Sequence, residues 1–177
     1  MPGRGGAPAD WLLVGLGNPG PEYERTRHNV GFEIARTLID RWQLPKPKAR
    51  YRGLLSEGRS GPGGPRVAVL QPQTYMNEAG QSVGPARGAL KVDLDHVIVL
   101  HDEIDIPFGD IRVRLGGGLA GHNGLKSLKT GLGSAEFVLS GRPTPTCGRS
   151  SIRPPMPRSG SCWRGCPRLS QTLIVGA

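Results

Sequence analysis

WLLVGLGNPGPEYERTRHNVG, residues 11–31, is the stretch whose reading decides the architecture. Trp11-Leu12-Leu13-Val14 is a short apolar run closed by glycine, which predicts a buried strand. A glycine-rich turn carrying Asn18 follows, and a polar loop then delivers His28 to the start of a helix near Val30. A strand ending in a tight turn holds a side chain still at the mouth of a sheet, and open parallel sheets bind ligands at that edge. Asn18 and His28 are therefore the first site candidates.

Gly15, Gly17 and Gly20 also spell G-x-G-x-x-G after a strand, the fingerprint of dinucleotide binding when the third glycine opens a helix. Here Pro19 and Pro21 bracket Gly20, and residues 21–29 carry no helical apolar period. Without a helix N-terminus at the turn, no dipole is aimed at a phosphate. The nucleotide reading is set aside on that ground.

Outward from this stretch the chain alternates strand and helix. Phe32, Ile34, Ala35, Leu38, Ile39 and Trp42 give an apolar face at helical spacing, so a helix is expected from about Val30 to Trp42, stopped by Pro45 and Pro47. The basic run Lys46, Lys48, Arg50, Arg52 reads as solvated surface. Tyr51 to Arg59 is an expected edge strand. After SGPGGP, Arg66-Val67-Ala68-Val69-Leu70 looks buried on both faces and ends at Pro72. Thr74-Tyr75-Met76-Asn77 is an expected turn before a helix reaching about Leu90. Asn77 is open to two readings, an N-cap or a side-chain amide in a cleft with donor and acceptor to offer.

His96-Val97-Ile98-Val99-Leu100 is the strongest strand and runs into His101-Asp102-Glu103-Ile104-Asp105. Three carboxylates at the C-terminal end of a central strand are costly unless they serve something. One of them can accept the Nδ1 proton of an imidazole and fix the tautomer that makes the other nitrogen a base. A metal held by His101, Asp102 and Asp105 is disfavoured, since neighbours on a strand point to opposite faces. Ile111-Arg112-Val113-Arg114 places two arginines on one face of a further strand, which suits either a phosphate or solvent. GGGLAGHNG then leads through His122 and Asn123 into a helix over Gly124–Leu132, where Asn123 is open to a capping role.

The 177 residues suit one α/β domain. No run of about 18 apolar residues occurs and residues 1–10 lack the apolar segment of a signal peptide, so no membrane and a cytoplasmic location are expected. The net charge of +9 is unevenly spread. Residues 138–177 hold six arginines and no acid, whereas residues 1–137 carry 17 Lys and Arg against 14 Asp and Glu. The same tail contains six of the 17 prolines and Cys147, Cys162 and Cys166. Three cysteines with no neighbouring His do not complete a tetrahedral metal set, and free thiols in an irregular segment are expected. The chain thus divides into a flexible N-terminus 1–10, a folded part 11–137 and an irregular basic tail 138–177.

No serine or cysteine sits in a nucleophile elbow, and no phosphate loop ends in Lys-Ser or Lys-Thr. What remains is His28, a carboxylate such as Asp102, and Asn18, Asn77 and Asn123 at strand-to-helix junctions. Such a set activates water on a carbonyl, with the imidazole taking the proton and amides stabilising the oxyanion. The residues alone point to a hydrolase.

GLGNPGPEYERTRHNVGF, QPQTYMNEAGQSV and VLHDEIDIPFGDIRVRLGGGLAGHNGLKSL, in this order and spacing, resemble bacterial peptidyl-tRNA hydrolases over residues 11–133. The resemblance implies a single-domain α/β fold, a mixed, mostly parallel twisted sheet flanked by helices. It further implies a cytoplasmic monomer without metal or cofactor. The implied reaction cleaves the ester between peptide and tRNA in peptidyl-tRNA, recycling tRNA during translation. It implies His28 as the catalytic base, Asp102 as its orienting carboxylate, and Asn18 and Asn77 as amides placing substrate and water. Tyr23, Met76, His122, Asn123 and Arg114 then resemble contacts to the peptide or the tRNA. After Phe137 the family pattern stops apart from Gly141-Arg142-Pro143, so a core strand is expected to be missing and the tail to come from a frameshift, a deletion or a gene-model error. Two other readings stand beside the enzyme: a non-catalytic RNA-binding relative of the same fold, and an inactive, poorly folded product.

Overall fold

The structure is a computed structural model that describes residues 8–23, 29–103, 112–116 and 122–143. All of these fall within one compact unit, Met1–Pro145. The strands are β1 (Trp11–Gly15), β2 (Lys48–Arg50), β3 (Gly53–Arg59), β4 (Arg66–Pro72), β5 (Val97–Glu103), β6 (Arg112–Leu115) and β7 (Val138–Pro143). The helices are α1 (Val30–Arg41), α2 (Gly80–Leu90) and α3 (Asn123–Leu132).

The strands form one sheet in the order β2-β3-β4-β1-β5-β7-β6. Its four central strands, β4, β1, β5 and β7, run parallel, while β2, β3 and β6 pair antiparallel at the two edges. The mixed sheet agrees with the sequence, the parallel pairing being confined to the centre. Parallel strands are buried on both faces and read as continuous apolar runs, as β1, β4 and β5 do. Leu12, Val14, Ala68, Leu70, Val97, Val99 and Leu139 pack on one face against Val83, Ala86 and Leu90 of α2 and Leu125, Leu128 and Leu132 of α3. The alternate residues Leu13, Val67, Val69, Ile98 and Leu100 are also buried, on the face where α1 packs across β1, β4 and β5. Helix α1 turns Phe32, Ile34, Ala35, Leu38 and Ile39 inward, the apolar face its spacing foretold.

β7 corrects the sequence-based expectation. The composition places residues 138–143 in an irregular tail lacking the next core strand, yet Val138–Pro143 pairs with β5 from Ile98↔Val138 to Glu103↔Pro143 and with β6 on its other side. Leu139 is 1% exposed. VLSGRP has little strand propensity of its own, and neighbours on both sides supply the register that the local sequence does not. The cysteines and the remaining tail lie outside the described residues. The basic run expected as solvated surface supplies β2, an edge strand whose Lys48 and Ala49 are exposed; lysine on an edge discourages pairing with other chains.

Because β1, β4 and β5 are parallel, their C-terminal ends lie along one edge of the sheet. The turn after β1, the turn after β4, the last residues of β5 and the start of α3 meet there.

Candidate active site

The glycines after β1 have a packing role in this fold. A Cβ on Gly31 would sit 2.4 Å from the backbone oxygens of both Leu16 and Leu100, and one on Gly15 would meet the Gly31 oxygen at 2.5 Å. Helix α1 can start against the ends of β1 and β5 only because these side chains are absent. A 3₁₀ turn at Pro21–Tyr23 also stands between that turn and the helix. The glycine pattern therefore serves the approach of a helix and does not cradle a pyrophosphate.

Asn18 and Asn29 lock the turn. Asn18 N–H donates to Asn29 Oδ1 at 2.7 Å, and Asn29 Nδ2 donates back to the Asn18 carbonyl at 3.0 Å. Asn29 is 4% exposed and makes no side-chain cap to α1, although it occupies the N-cap position. Its amide mimics a backbone pair and holds the turn after β1 to the base of the helix. Nothing local marks Asn29 out in the sequence, because a lone asparagine ahead of a helix signals a cap and its partner lies 11 residues away. Asn18 in turn accepts from Met76 N–H through Oδ1 at 2.8 Å, joining the turns that follow β1 and β4.

Met76, Asn77 and Glu78 form a 3₁₀ turn between β4 and α2. Asn77 is not the N-cap of α2, a position held by Ala79, and its side chain is exposed. Gly80 N–H, at the start of α2, donates instead to Ser127 Oγ of α3 at 2.9 Å. Met76 lies against the first turn of α3, where a Cβ on Gly124 would fall 2.8 Å from its Cγ. Tyr75, just before the turn, is the one exposed large hydrophobic side chain among the described residues.

Asp102 lies near the end of β5 and is 5% exposed, beside His101 at 2%. His122 Nε2 is 3.1 Å from Asp102 Oδ1. His122 occupies the N-cap position of α3 with an extended backbone, and its ring meets that of His101 edge-on, with centroids 5.5 Å apart. Since His122 is the cap, Asn123 is the first helical residue and is exposed. Neither Asn77 nor Asn123 has the capping role left open by the sequence.

The structure thus brings Asn18, Met76, Asn77, Asp102, His122 and Asn123 to the one edge of the sheet, with Tyr23 half-buried at the end of the 3₁₀ turn after β1. His28 lies outside the described residues. Arg114 is in β6 opposite Leu139. Of the residues weighed for a metal, Asp105 also lies outside. Among the described residues, donor atoms of Asp93, Asp95 and His96 come within 4.8 Å of one another. They precede β5, roughly 17 Å of strand from Asp102, and belong to the opposite end of the sheet.

The family model for peptidyl-tRNA hydrolase matches residues 12–140, from β1 into β7. The chain belongs to the peptidyl-tRNA hydrolase family. A peptidyl-tRNA hydrolase of Renibacterium salmoninarum is 44% identical over 128 residues, which cover 72% of this chain and 66% of that protein. One from Syntrophotalea carbinolica is 46% identical over 127 residues, covering 72% and 65%. The chain therefore spans just under two thirds of the length of these relatives. The crystal structure of the peptidyl-tRNA hydrolase of Acinetobacter baumannii superposes with a TM-score of 0.70 at 35% identity, covering 80% of this chain and 72% of that one. No helix among the described residues is long and apolar enough to cross a membrane.

Proposed function

We propose that this chain hydrolyses the ester joining a peptide to tRNA in peptidyl-tRNA, returning the tRNA to translation. The observation that carries the reading is the buried Asp102–His122 pair, set at the edge where Asn18 fastens the turn bearing Met76 and Asn77. In a chain of this family, that arrangement gives a water-activating site its carboxylate and its amides.

His28 acts as the general base, taking a proton from water as the oxygen attacks the ester carbonyl. Asp102 accepts a hydrogen bond from the His28 imidazole, fixes its tautomer and stabilises the imidazolium formed. Asn77 and Asn123, both exposed at the mouth of the site, offer amide groups to the carbonyl and the peptide main chain. Amide donors aimed at the developing oxyanion favour the transition state over the bound ester. Asn18 shapes the site through the Met76 backbone. The ribose oxygen leaves with the proton returned by His28. Tyr23 and Arg114 are assigned to the nucleic-acid part of the substrate, and contacts to phosphate make affinity fall as salt rises. The protein acts as a cytoplasmic monomer and uses no cofactor or metal.

Replacing His28 by alanine tests the assignment. Peptide release is expected to be abolished while tRNA binding, followed by a filter or fluorescence assay, is retained. Unchanged release would remove His28 from the mechanism, and binding without release by the parent chain would instead identify an RNA-binding relative.

A further inference from the structure

We infer that His122 is a positioning residue for Asp102. Its Nε2–H holds one carboxylate oxygen so that the other faces the imidazole that Asp102 serves. The inference rests on the hydrolase reading above and assigns His122 a task distinct from contact with substrate.

The ring is held from three directions. Its backbone begins α3, with Lys126 N–H donating to the His122 carbonyl at 3.1 Å, and His101 abuts it edge-on. The third restraint is the 3.1 Å contact to Asp102 Oδ1, between side chains 15% and 3% exposed. A carboxylate turns easily about its last torsion, whose energy profile is broad and two-fold. With Oδ1 engaged by His122, the carboxylate plane is fixed for the imidazole that Asp102 serves.

The proton count follows from the surroundings. One proton on Nε2 satisfies the contact to Asp102. Nδ1 of His122 is buried with no hydrogen-bond partner among the described residues, so a proton there would be a stranded donor. A proton on Nε2 meets both conditions. That donor fixes the carboxylate in the orientation that serves the imidazolium forming on the base. The two histidines then divide the work: one exchanges the proton, and the other keeps the carboxylate aligned.

The test uses the full chain and two substitutions. His122→Ala removes the donor, whereas His122→Gln places an amide N–H where Nε2 stood. The loss of one hydrogen bond to a charged group predicts that His122→Ala lowers kcat for peptide release roughly ten- to a hundredfold with KM little changed, while His122→Gln keeps most of it. A raised KM with intact kcat, or glutamine no better than alanine, would overturn the inference in favour of substrate contact or mere packing. If the parent chain releases no peptide, the hydrolase reading fails separately. The imidazole nitrogen shifts of His122 in that same protein, assigned against His122→Gln, then decide: a proton on Nε2 supports the inference, and a bare Nε2 overturns it.

Discussion

Replacing Asn29 by alanine cuts the bridge that ties the turn after β1 to α1. Two hydrogen bonds disappear, the donation from Asn18 N–H at 2.7 Å and the donation to the Asn18 carbonyl at 3.0 Å. Each contributes about 0.5–1.5 kcal/mol net, and leaving a buried polar group unpaired adds about 1–3 kcal/mol. Asn29 is 4% exposed, so water replaces its amide poorly. The variant is expected to lose about 2–6 kcal/mol, well beyond an ordinary surface change of about 0.5 kcal/mol. Urea unfolding followed by circular dichroism reads this directly, and kcat should fall with it because Asn18 carries Met76 through Oδ1. Asn29→Asp separates the two bonds: the acceptor for Asn18 N–H survives, while a carboxylate oxygen now opposes the Asn18 carbonyl. A loss below about 0.5 kcal/mol in the alanine variant would refute the bridge as a fixed part of the native turn.

Gly31→Ala should destabilise by about 1–3 kcal/mol or more through overpacking, because the new methyl group meets two backbone oxygens at 2.4 Å. The usual helix gain of about 1 kcal/mol for such a change is not expected to appear in the unfolding midpoint. Leu139→Ala should cost about 2–5 kcal/mol and reduce turnover, since β7 flanks β5 beside Asp102. An unaltered midpoint would mean that β7 is absent from the native sheet.

The parallel centre of the sheet was legible because β1, β4 and β5 are apolar without alternation, and α1 because its apolar residues repeat at helical spacing. The cleft edge was legible too, since strand ends followed by turns announce it. What escaped depends on distant partners. Asn29 pairs with a residue 11 positions away, and the cap of α3 is a histidine whose side chain is committed to Asp102. Ser127 receives the first N–H of α2 from another helix. β7 forms from VLSGRP because β5 and β6 flank it. The glycines of the first turn carried a misleading pattern, and only the approach of α1 to Leu16 and Leu100 shows what they are for.

Release of peptide from peptidyl-tRNA by the purified full-length chain, with intact mass recorded on the same sample, tests the central claim most directly. Turnover is expected from a protein of the mass set by its sequence, abolished by His28→Ala and strongly reduced by Asp102→Asn. A protein of that mass that binds tRNA but releases no peptide would contradict it.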